Sequence, residues 1–94
     1  MNNIDNQIII TVAGKDKVGI VASVSECLSK NKVNIEDIKQ TIMQDNFVMI
    51  MLCNISAMNV SFKDFKDSLT DLGKELNMEI WVQKKEIFDK MHTI

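Results

Sequence analysis

The chain has 94 residues, 46% of them hydrophobic and 26% charged, with a formal net charge of −2. That is one domain's worth of chain, too apolar for a disordered tail and too small to bury much of its own surface, so oligomerisation is expected. All 11 cationic side chains are lysine and only 5% of residues are aromatic, without a tyrosine. Lacking the rigid guanidinium fork and stacking platforms, the chain is not expected to bind nucleic acid.

No apolar run approaches the roughly 20 residues that cross a bilayer, and Met1-Asn2-Asn3-Ile4-Asp5-Asn6 has no secretory pattern. A cytoplasmic protein without a membrane partner is expected. Cys27 and Cys53 stand apart, with no Cys-x-x-Cys and no paired histidine, so they read as free thiols and no metal site or cofactor is expected. His92, the sole histidine, stands too near the C-terminus to anchor a triad, and no nucleophile–base pair is recognisable. The chain is therefore not expected to be an enzyme and has no catalytic candidates.

Ile8-Ile9-Ile10-Thr11-Val12 predicts a strand at about 7–13. Gly14 breaks it, a charged loop with Lys15, Asp16 and Lys17 follows, and Val18-Gly19-Ile20 opens a helix at about 18–30. Val21, Val24 and Leu28, flanked by Ile20 and Cys27, are its expected apolar stripe. Backbone N–H groups without intrahelical partners, and the positive end of the dipole, make such a start a place where a small anion is favoured. Asp16 is placed to cap this helix by accepting from the Gly19 N–H, which would compete with an incoming carboxylate.

Asn31-Lys32 end the helix and Asn34 leads into an imperfectly alternating strand at about 35–44. Asn34 is suited either to a left-handed turn or to contact with a zwitterion. Asp45-Asn46 reads as a tight turn. The next strand, at about 47–54, sets Phe47, Met49, Met51 and Cys53 on one face and Val48, Ile50 and Leu52 on the other. Two apolar faces imply cover on both sides.

Ser61 is the expected N-cap of a second helix whose stripe is Phe62, Phe65, Leu69, Leu72 and Leu76. A fourth strand at about 78–84 turns Met78, Ile80 and Val82 inward and Trp81 outward, where it is a candidate anchor between subunits. A short last helix carries Ile87, Phe88 and Met91. The order β-α-β-β-α-β predicts an α+β, ferredoxin-like sandwich: two helices on one face of a four-stranded antiparallel sheet, with a C-terminal extension at about 85–94.

Among modules of this fold, a soft-metal carrier needs cysteines in the first loop, an acyl-phosphate hydrolase needs an arginine there, and an RNA-binding sheet needs aromatics in the middle of its central strands, here Ile8–Val12 and Val48–Leu52. This chain has none of these. Gly14, Asp16, Lys17, Val18, Gly19 and Ile20, together with Val33-Asn34-Ile35, instead make it resemble the ACT domain, a regulatory module that typically binds amino acids. Many ACT domains have proline where Val18 stands.

The run Ile38-Lys39-Gln40-Thr41-Ile42-Met43 and the ending 87–94 look like a bacterial and archaeal family of stand-alone ACT proteins. The first half is also similar to ACT-built regulators of the glycine cleavage system. The resemblance implies a homodimer or higher homo-oligomer that binds a small ligand, an amino acid. That ligand would lie between Gly14, Lys15, Asp16, Lys17, Val18, Gly19 and Ile20 of one subunit and Asn34-Ile35 of another. A separate enzyme or transcription factor would be the regulated partner. The rival expectation is a dimerisation module with an empty pocket.

Overall fold

The computed structural model describes residues 6–15 and 18–91. Its elements are β1 (Gln7–Lys15), α1 (Ile20–Lys30), β2 (Asn34–Met43), β3 (Asn46–Asn54), α2 (Phe62–Leu76), β4 (Glu79–Lys84) and α3 (Lys85–Met91). The strands form one antiparallel sheet in the order β2-β3-β1-β4, which is the ferredoxin-like arrangement expected from the element order.

Alternation along β1 and β3 decides the core. Ile8, Ile10, Val12, Met49, Met51 and Cys53 are fully buried on the face that meets Ile20, Val24 and Leu28 of α1 and Phe65 and Leu69 of α2. The apolar stripe of α1 is rotated from expectation: Ile20 is buried and Val21 is exposed, the inward side being the one on which Ile20, Val24 and Leu28 recur every four residues. Ser61 caps α2 as expected, its hydroxyl accepting from the Asp64 N–H at 3.1 Å.

The hairpin turn sits one residue earlier than the sequence reading placed it. Gln44 and Asp45 hold the two left-handed conformations (φ 50° and 70°), and Asn46 already belongs to β3. Two consecutive positive φ angles match the twist of the flanking strands, so the pair closes a two-residue turn. After α1 the left-handed residue is Lys32 (φ 57°); Asn34 is strand, so a left-handed role does not apply to it.

The sheet's second face, here the outer face, is only half covered. Ile9 lies on it and is 6% exposed, because α3 packs across β1 and β4 there. The Gln83 side-chain amide, on the same rung as Ile9, lies 3.3 Å from the Met91 sulfur. The methionines of β3 point into the core, so the residues that look outward from that strand are Val48, Ile50 and Leu52. Phe88 is half-buried, whereas Ile87 and Met91 remain exposed.

Both thiols are free, Cys53 buried and Cys27 half-buried. Burial, helped by the nearby Glu36 charge, pushes the Cys53 thiol up to about 12, while burial raises Cys27 against the opposing pull of Lys30 and Asn31. A thiol held protonated in the fold but free to ionise near its ordinary value when unfolded stabilises the fold fully below that value. The contribution is then lost as pH rises through the window from about 9 to about 12. Thermal melts are therefore expected to fall more steeply with pH above 9 for the wild type than for Cys53→Ala, and a thiol reagent at pH 8 should label native Cys53 only on unfolding.

Candidate functional site

The strand–loop–helix join is built around two glycines with different reasons for being glycine. A Cβ on Gly14 would lie 2.6 Å from the Met78 sulfur and 3.5 Å from its Cα, so the glycine leaves room for the Met78 side chain. Among the described residues a Cβ on Gly19 would meet nothing within 4 Å, so none of them packs closely enough to require glycine there. Gly19 is instead the N-cap of α1 in a left-handed conformation (φ 89°). Gly19→Ala is expected to cost about 1–2 kcal/mol through backbone strain alone. Gly19→Asn should cost less, because asparagine tolerates that region better; paired chemical-denaturation curves measure the difference.

Val18 stands fully in solvent, Lys15 is exposed and Ile20 turns into the core, so the loop end of the site is framed by backbone with few fixed side chains. Asp16 and Lys17, including the expected cap from Asp16 to Gly19, lie outside the described residues, as does His92. Glycine as N-cap supplies no side-chain acceptor, and the first turn of α1 carries no acidic residue. Its leading N–H groups are directed toward the loop.

Asn34 opens β2 and is exposed, while Ile35 is half-buried against the core. Asn34 pairs with Asn54 of β3, which pairs in turn with Gln7 of β1, so three amides share one rung. The ladder shifts register between Ile35 and Asp37. That bulge leaves Glu36 to accept from the Gln7 amide at 2.9 Å and from the Asn54 amide at 3.4 Å. A carboxylate at this corner was not anticipated. Its trace in the sequence is the three-residue step between Ile35 and Ile38, which both pair with core residues of β3 where strict alternation asks for two. Beside Asn34 a groove of about 480 Å³ is lined by Ser25 and Ser29 of α1, Lys32 and Ile35.

The two halves of the expected site are not together in one chain. Gly14 shares a rung with Phe47 and Ile42, whereas Asn34 shares one with Asn54 and Gln7. Seven residues of strand separate those rungs, about 23 Å at 3.3–3.4 Å per residue. β2 is an edge strand, and it carries Ile38, Ile42 and Met43 exposed at 37%, 60% and 66%.

Among the described residues no group of three His, Cys, Asp or Glu side chains could hold a metal ion, and no helix is long and apolar enough to cross a membrane.

Residues 6–83 match the family model for the ACT domain. A UPF0237 protein of Clostridium acetobutylicum is 51% identical over 86 residues, covering 92% of this chain and 97% of its own. Among solved structures, an ACT domain protein from Streptococcus pneumoniae superposes with a TM-score of 0.77 at 35% identity, covering 95% of this chain and 97% of that one. A candidate glycine cleavage system transcriptional repressor shares the fold, with a TM-score of 0.74 at 23% identity over 83% of this chain and 44% of that one. With matches that span nearly its whole length, the chain belongs to the ACT-domain family of regulatory, ligand-binding modules.

Proposed function

We propose that the chain binds a small zwitterion, an amino acid, between two antiparallel copies of itself and so regulates a separate partner protein. One observation carries this reading: the loop end and the Asn34 end lie at opposite ends of the sheet, beside an edge strand with exposed apolar residues. Antiparallel pairing of two β2 strands centred on Ile38 would set Asn34 of one copy opposite Ile42 of the other, since each lies four residues from the centre. Ile42 shares its rung with Gly14, which lies two strands further into the sheet, so each Asn34 would lie at the loop end of the other copy's sheet.

In that arrangement the leading N–H groups of α1 receive the ligand carboxylate. The Asn34 amide, with both a donor and an acceptor, receives the ammonium. Gly14, Lys15, Asp16, Lys17, Val18, Gly19, Ile20, Asn34 and Ile35 are the residues proposed to frame it. Binding would favour one arrangement of the pair, and that population shift is what a partner enzyme or transcription factor would read. The cytoplasm is the proposed compartment, because both cysteines are free thiols and reducing compartments keep them so.

Calorimetry against the twenty amino acids is the test. Heat with one of them that disappears in Asn34→Ala supports the site. Self-association with no heat from any amino acid would favour the rival reading, a dimerisation module with an empty pocket.

A further inference from the structure

β4 is the second edge of the sheet, and a groove of about 420 Å³ follows it on both sides. Lys66 and Thr70 of α2 line it on the helix side, and Trp81, Gln83 and Met91 on the outer side. An edge strand leaves alternate backbone N–H and C=O groups open, and an extended segment of another chain can pair with them. We propose that β4 receives an extended segment of a partner protein in which acidic side chains alternate with apolar ones.

The alternation follows from the pleat, because side chains of an added strand point in turn to the two faces of the sheet. Those on the helix side would meet Lys66 and Lys84; Lys84 shares its rung with the core residue Ile8. The Lys66 and Lys84 ammonium groups lie over the Phe62 ring, 5.6 and 5.5 Å from its centroid. Neither has a carboxylate within ion-pair distance among the described residues, whereas the neighbouring Lys63 and Lys85 are paired with Asp67 and Asp89. Two unneutralised cations beside one open edge favour carboxylates there. Side chains on the outer side would meet Trp81, which is 51% exposed and offers the kind of flat aromatic surface on which such contacts centre.

A second copy of β4 does not supply this pattern. Antiparallel pairing of two identical strands about a two-fold axis perpendicular to the sheet keeps each face on its own side. Lys84 would then meet an inward residue such as Ile80 or Val82, because Glu79, the acidic residue of β4, shares the outer face with Ala13. The carboxylates must therefore come from a different chain. β4 lies across the sheet from β2, so this contact rests neither on the ligand site nor on pairing through the β2 edge.

A fluorescein-labelled peptide alternating glutamate and valine over the length of β4 is the probe, and fluorescence anisotropy reads its binding. Binding to the wild type is expected and should weaken as salt rises. The double change Lys66→Glu and Lys84→Glu should weaken it at least about tenfold, while far-UV circular dichroism stays that of the folded chain, since both lysines are exposed. The reversed chain should in turn take the peptide in which lysine replaces glutamate. On the wild type, which needs no variant, the glutamate peptide should slow amide hydrogen exchange in β4 and leave β2 unchanged. Absence of binding, equal binding by the wild type and the charge-reversed chain, or protection confined to β2 overturns the proposal.

Discussion

Phe65→Ala is expected to destabilise the fold by about 3–5 kcal/mol, the range for emptying a buried phenylalanine site. Phe65 is fully buried and heads the largest enclosed side chains of the core, in the layer where α2 meets Ile8, Ile10, Met49 and Met51. Two effects add: the transfer of the ring to water and the cavity left among neighbours that relax only in part. For a domain whose whole stability lies at about 5–15 kcal/mol, that is a large share. The melting temperature should fall by at least roughly 12 °C, from about 4–8 °C per kcal/mol at this size. Thr70→Ala, exposed on the same helix, is the control and should stay within about 0.5 kcal/mol of wild type. Equal losses in both variants would mean that α2 does not pack as described.

Ile42→Lys is expected to leave the fold intact and weaken self-association through the β2 edge by about ten- to a hundredfold. Ile42 is 60% exposed, so little of the monomer's core depends on it. Buried between two copies it would contribute about 1.5–3 kcal/mol, and a lysine there adds the repulsion that natural edge strands use to stay unpaired. Loss of amino-acid binding should accompany loss of pairing, because Gly14 and Asn34 stand on rungs about 23 Å apart in one chain. Sedimentation equilibrium checks the first effect and calorimetry the second. An unchanged dissociation constant would remove β2 as the pairing edge.

Much of this was legible in the residues because alternation and capping are local. The isoleucine-rich run of β1, the two-faced pattern of β3 and the Ser61 cap all act within a few positions of themselves, and each stands where the pattern put it. Errors fell where local signals compete. Asp45-Asn46 and Gln44-Asp45 both contain turn-tolerant residues, and the ladder register of β2 against β3, which pairs Met43 with Asn46, chose the latter. Val21 and Ile20 are both apolar, and the way α1 lies on the sheet decided which faced inward. Asn34 was expected on the far side of α1 from the loop; its distance from Gly14 became definite only with the strand register.

The sequence by itself determined the order of elements, the composition of the core and the glycine-bounded join, since these follow from periodicity, capping and backbone freedom within short segments. Its likeness to the ACT domain, borne on the join and on Val33-Asn34-Ile35, agrees with the family match over residues 6–83. Tertiary structure alone decided which amides Glu36 accepts from, the half of the outer face that α3 covers, and the reason for each glycine of the join: Met78 at Gly14 and a left-handed helix start at Gly19. Those outcomes depend on which strands lie side by side and in what register. Contacts between residues tens of positions apart leave no periodic trace along the chain.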